Sequence, residues 1–156
     1  MRIALSIHLF TKAYPGDDQE PLFDFFLNLP LRNPEHTFIF ISDTPYPPSL
    51  VFPGNVIPVC IGPEARNPLT WRIWYNLKIP LTLKKYKADI FITAKFCSLR
   101  TCVPQLLVDP DPGFIHQPST MSKRHLRFYK KYSPRFLNKC EAILVNSMFS
   151  KKELIG

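Results

Sequence analysis

Glycine is scarce in this chain, five residues in 156 against seventeen prolines. The scarcity leaves the chain without the familiar glycine-rich phosphate loops. No G-x-G-x-x-G follows the first apolar run, and no G-x-x-x-x-G-K-[ST] occurs, so neither a dinucleotide fingerprint nor a P-loop is present. No G-x-S-x-G elbow occurs, which excludes an α/β-hydrolase. None of Cys60, Cys97, Cys102 and Cys140 forms a C-x-x-C pair or stands at zinc-ligand spacing from a histidine. They read as buried or incidental free thiols of a reducing compartment, and no metal site is expected. No run approaches the ~18 apolar residues of a membrane span. The apolar run 3–7 is too short for a signal-peptide core, and no small-residue cleavage site follows it. A cytoplasmic protein is expected, with a peripheral place on the inner membrane face as its variant.

What is present is an ordinary globular composition, 46% hydrophobic and 21% charged, in a length that fits one domain with a sizeable core. The net charge of +8 is unevenly spread. Residues 1–64 hold three basic and seven acidic side chains, whereas residues 65–156 hold seventeen basic and five acidic. A basic half points to an anionic partner, or to a solvated lysine-rich face.

Short apolar runs alternate with helical segments. Strands are expected over residues 2–8, 36–42, 56–61, 88–93, 103–108 and 142–145. Asp17 or Asp18 can cap a first helix through about Leu31, with Leu22, Phe25, Phe26 and Leu29 on one face and Pro30 in the last turn. Asn67-Pro68 opens a second helix, with proline near its first position. Ile73, Leu77 and Leu81 recur along it at helical spacing, and Pro80 is expected to kink or split it. A basic helix covers about 122–138, interrupted near Pro134. Ser150 and Glu153 fit a capping box that opens a last helix. The chain stops one turn later, which reads as a truncated product.

Repeated β-α-β units with nearly continuous apolar strands imply a Rossmann-like three-layer α/β sandwich around a mainly parallel sheet. Ligands of such sheets bind beyond the carboxyl ends of the strands. That rule singles out residues 8–16, Asp43, residues 93–95, residues 109–116 and Ser147.

Four stretches together resemble the N-terminal, acceptor-binding domain of the retaining GT-B glycosyltransferases of family 4. Asn33-Pro34-Glu35-His36 precedes the second strand as in that family. Trp74, Pro80 and Ala88-Asp89 are similar to its next segment, and the stretch from Pro104 to Asp111 is similar to its strand ending in His-Asp. The most specific piece runs from Glu141 through Ser147 to Leu154. Three positions depart: Pro110 stands where the family has the histidine, Met148 replaces the glutamate after Ser147, and Pro15-Gly16 replaces a glycine pair. The resemblance covers most of the chain and implies that residues 1–156 are the acceptor-side lobe of a GT-B fold. The nucleotide-sugar-binding lobe, with the family's E-x(7)-E motif, would lie outside this sequence. The whole enzyme would transfer a sugar from a nucleotide-sugar to a hydroxyl of a glycan or lipid-linked acceptor, with retention and without a metal or other cofactor. This lobe would be inactive alone.

Each candidate residue has two readings. Gly16 would let backbone approach a donor phosphate at a helix N-terminus, or it is a turn glycine. Asp111 would orient an acceptor hydroxyl or assist proton transfer, or it shapes an Asp-Pro turn. His116 would hydrogen-bond a sugar or phosphate near neutral pH, or it is structural. Lys95 would meet phosphate, or it is solvated. Ser147 would bond a ligand, or it caps a turn. The segment 123–135 carries six basic residues and no acid, with Phe128, Tyr129 and Tyr132 interleaved. Lys123, Arg124, Arg127, Lys130 and Lys131 would meet an anionic membrane or lipid-linked acceptor. Single-stranded nucleic acid by stacking and charge is a second reading, and a surface helix with its aromatics in the core is a third. For Trp71, Trp74 and Tyr75 core packing is expected. The readings from other classes are a stand-alone basic α/β module for nucleic acid, protein or a membrane surface.

Overall fold

The computed structural model describes residues 1–7, 21–110, 119, 121–145, 147, 148, 151 and 152. Six strands form one sheet: β1 (Arg2–Ser6), β2 (Thr37–Ser42), β3 (Val56–Cys60), β4 (Ile90–Ala94), β5 (Gln105–Val108) and β6 (Ala142–Leu144). Their order is β3-β2-β1-β4-β5-β6, and all five pairings are parallel. The sequence-based strands all exist, with ends shifted by one or two residues.

Strand period two divides the core between the two faces of the sheet. Ala4, Ile39, Ile41, Phe91 and Leu107 point one way, and Leu5, Phe38, Phe40, Ile92 and Val108 the other. Helix α1 (Pro21–Arg32) covers the second face with Phe23 and Phe26. The first face is covered by α2 (Pro68–Ile73), a π-helical turn (Trp74–Lys78), α3 (Ile79–Tyr86) and α4 (Lys123–Lys139). The three-layer α/β sandwich is thereby present. Edge strand β3 carries Pro58, exposed, where no further ladder hydrogen bond is required of it.

Two prolines behave differently from the sequence-based expectation. Pro80 does not split its helix, because the π turn ends just before it and Ile79 N–H reaches back to the Trp74 carbonyl. The wider turn accommodates the ring that an α-helical turn would clash with. Pro134 does not interrupt α4, which is continuous over seventeen residues. It lies on the exposed face, where water can serve the Lys130 carbonyl that has lost its donor. Inward from the α2–α3 rod point Trp74, Tyr75, Ile79 and Leu83, all buried. Ile73, Leu77 and Leu81, the residues that mark the helix in sequence, face solvent.

The ends are capped conventionally. The Asn67 side chain accepts from the Leu69 and Thr70 amides, and the Thr70 hydroxyl oxygen accepts from the Asn67 amide. Ser122 caps α4 through the His125 amide. Asn55 ties α1 to the sheet, its side-chain amide donating toward the carbonyls of Pro30, Asn33 and His36 at 3.1–3.3 Å.

Candidate functional site at the carboxyl edge

The strand order reverses between β1 and β4, and the crevice beyond the carboxyl ends of those two strands is where such sheets receive ligands. Ser6 ends β1 and is buried, and Thr93 lies one residue short of the end of β4 and is buried as well. The hydroxyl of Tyr75, from the π turn, is hydrogen-bonded to both. Burial pushes its phenol far above the ordinary range, against the smaller opposing effect of those two bonds. Thr93 in turn donates to the Phe96 carbonyl at 2.7 Å. The switch point thus has a neutral, hydrogen-bonded floor with its donors already directed.

Asp43, directly after β2, is 5% exposed. Its Oδ2 accepts from the Ala65 amide at 2.7 Å, and its Oδ1 has no hydrogen-bond partner among the described residues. Burial first, and the Asp43 charge second, push the Cys60 thiol up. On the other side of the switch point, Lys95 and Asp109 follow β4 and β5. Both have left-handed backbone, with φ of 64° and 46°. Lys95 N–H donates to the Val108 carbonyl at 3.3 Å, and Asp109 N–H to that of Leu144 at 2.8 Å. Non-glycine residues rarely adopt this conformation, and where they do the neighbouring structure holds them there. Beneath them Gln105, buried, pairs with the Ser98 backbone in both directions at 2.7 and 2.8 Å and anchors the 96–104 segment.

The sequence-predicted site residues separate into groups. Lys95 lies half-buried at the switch-point edge, as strand position implies. Ser147 is exposed on the same edge beyond β6, two strands and so about 10 Å along the sheet from β4. Lys151 N–H donates to its carbonyl at 3.1 Å, and the capping box expected of Ser150 and Glu153 lies outside the described residues. Gly16, Asp111 and His116 lie outside the described residues. Lys123, Arg124, Arg127, Lys130 and Lys131 are all exposed on α4.

The aromatics of α4 take the core reading. Phe128, Tyr132 and Phe136 are buried, and Phe128 packs with Trp71 and Phe96 at ring separations of 5.3 and 6.0 Å. Trp74 and Tyr75 are buried too, and the Trp74 indole donates to the Ile61 carbonyl at 2.9 Å. All four cysteines are free: Cys60 and Cys102 exposed, Cys97 buried and Cys140 between the two. Cys97 and Cys140 share a hydrogen bond that raises the first thiol and lowers the second. A 43-residue separation hid that pair in the sequence. Among the described residues no cluster of three or more His, Cys, Asp or Glu could hold a metal ion, and no helix is long and apolar enough to cross a membrane.

Compared with family models, with curated proteins and with solved structures, the chain gives no match in any of the three.

Proposed function

We propose that the chain is the acceptor-side lobe of a GT-B glycosyltransferase that moves a sugar from a nucleotide-sugar to a hydroxyl of a glycan or lipid-linked acceptor. The observation that supports this reading most is a parallel sheet in the β3-β2-β1-β4-β5-β6 order whose switch point carries polar, hydrogen-bonded side chains. Such a sheet is built to receive a ligand, yet the sequence contains no glycine-rich phosphate loop. A lobe that shares a donor with a second lobe has both properties.

In this reading Asp111 and His116 assist the acceptor hydroxyl, which attacks the sugar's anomeric carbon as the nucleotide leaves. Gly16, Lys95 and Ser147 face the donor phosphates, with Lys95 supplying the positive charge. The nucleotide itself rests mainly on the other lobe, so the 156-residue chain does not transfer sugar alone. The second reading is a stand-alone basic module for an anionic partner, and the observation that favours it is α4, seven cations without one acid.

Amide-resolved NMR titration of the chain with nucleotide-sugars and simple glycans tests the choice. The transferase reading expects shifts clustered at Ser6, Asp43, Thr93 and Lys95. Shifts confined to α4, seen equally with inorganic phosphate, would favour the stand-alone module.

A further inference from the structure

Four large apolar side chains stand in solvent along the α2–α3 rod: Leu69 at 55% exposure, Ile73 at 37%, Leu77 at 53% and Leu81 at 59%. Their spacing is four residues throughout. In an unbroken α-helix each such step drifts about 40° around the axis, which would spread four residues over a third of the circumference. The π turn between Trp74 and Lys78 uses more residues per turn and winds part of that drift back, which keeps the four on one side of the rod. Single exposed apolar residues are ordinary, but a row of four on one side is not.

The neighbouring helix in the same layer is α4, and the two pack through shared core contacts on one face of the sheet. Their outer faces therefore look the same way. Along its ~25 Å length α4 presents seven cations and no acid. At the seam between the helices, Arg72, Lys131 and Arg135 each lie 5.6 Å from the centroid of the Tyr132 ring. None of the three makes an ion pair among the described residues. Three like charges around one ring lack an anion.

We propose that this outer face docks on the surface of an anionic lipid bilayer. The Leu69–Leu81 ridge enters the headgroup boundary, and Arg72 with the cations of α4 holds lipid phosphates. The proposal is independent of the transferase reading. Charge selects the occupant. A second copy of the chain would set two seven-cation helices against each other. A single-stranded nucleic acid would need exposed rings to stack on, but Phe128 and Tyr132 are buried and the half-buried Tyr129 packs on Phe96 at 5.6 Å. A bilayer uses both the ridge and the charge.

The test is co-sedimentation of the 156-residue chain with phosphatidylcholine vesicles, with and without phosphatidylglycerol. The chain should bind the anionic vesicles, and less so as salt rises. Leu77→Asp with Leu81→Asp should weaken binding at least about tenfold, and Arg72→Ala with Arg135→Ala should weaken it about tenfold or more. All four side chains are exposed, so far-UV circular dichroism should be unchanged. Failure of the unaltered chain to bind anionic vesicles overturns the proposal. So does a folded Leu77→Asp, Leu81→Asp variant that binds like the parent, which would leave charge alone at work. A ridge variant that instead turns a dimer into a monomer, with vesicle binding intact, assigns the ridge to self-association and overturns it as well.

Discussion

Lys95 and Asp109 stand side by side, each the first residue beyond adjacent strands β4 and β5, and both are held in left-handed backbone. A lysine pays a steric cost there of about 1–2 kcal/mol, because its Cβ crowds the following carbonyl. Aspartate tolerates the region better through local hydrogen bonds. Lys95→Gly should therefore raise stability by about 1 kcal/mol, and Asp109→Gly by less. Urea midpoints of the two variants check the difference. In the transferase reading Lys95→Gly also loses phosphate affinity in the full-length enzyme, so stability and donor binding move in opposite directions.

Tyr75 is buried and Tyr46 half-buried, and desolvation raises both phenols from their ordinary pKa of 10.0. The unfolded chain then sheds these protons first. Stability is full below about pH 10 and falls as pH rises above it, because the unfolded state alone ionises there. Tyr75→Phe should cost about 1 kcal/mol at neutral pH, through the lost bonds to Ser6 and Thr93. It should also lose less stability than the parent chain above pH 10. Denaturant titrations at the two pH values read both effects.

Asn55 donates toward three carbonyls that close α1 and lead into β2. Removing the amide in Asn55→Ala should destabilise the chain by about 1–3 kcal/mol. Asn55→Asp should be worse, since a carboxylate would face those same carbonyl oxygens. A variant ranking in which aspartate is milder than alanine would contradict the geometry.

Cys140 is lowered chiefly by the hydrogen bond from Cys97, with Lys139 adding to it against the opposing effect of burial. Alkylation followed by mass spectrometry should find Cys140 reactive below the ordinary thiol range. Cys97→Ala should shift the Cys140 pH profile upward. An unchanged profile would show that the two thiols are not coupled.

The sheet was legible because buried parallel strands leave continuous apolar runs such as residues 38–41 and 90–92, which no surface element mimics. Lys95 was legible for a related reason: strand polarity alone puts it at the carboxyl edge. The π turn was not, because Pro80 signals a break and only the packing of Trp74, Tyr75 and Ile79 shows that the helix absorbs it. The core packing expected of Trp74 and Tyr75 is present, whereas Ile73, Leu77 and Leu81, which carry the helical period in sequence, face solvent. Asp43 could be placed at a strand end, but its one-sided hydrogen bonding depends on Ala65, 22 residues away. The Cys97–Cys140 pair likewise depends on how α4 returns to the sheet.

The central claim is that this chain is one lobe of a two-lobe transferase, and the most direct measurement is to read the source gene past codon 156. The claim predicts an open frame continuing for roughly one more domain, with paired acidic residues at E-x(7)-E spacing ahead of a helix. A stop codon at that point would contradict it, and the chain would then be a binding module whose partner is met at α4.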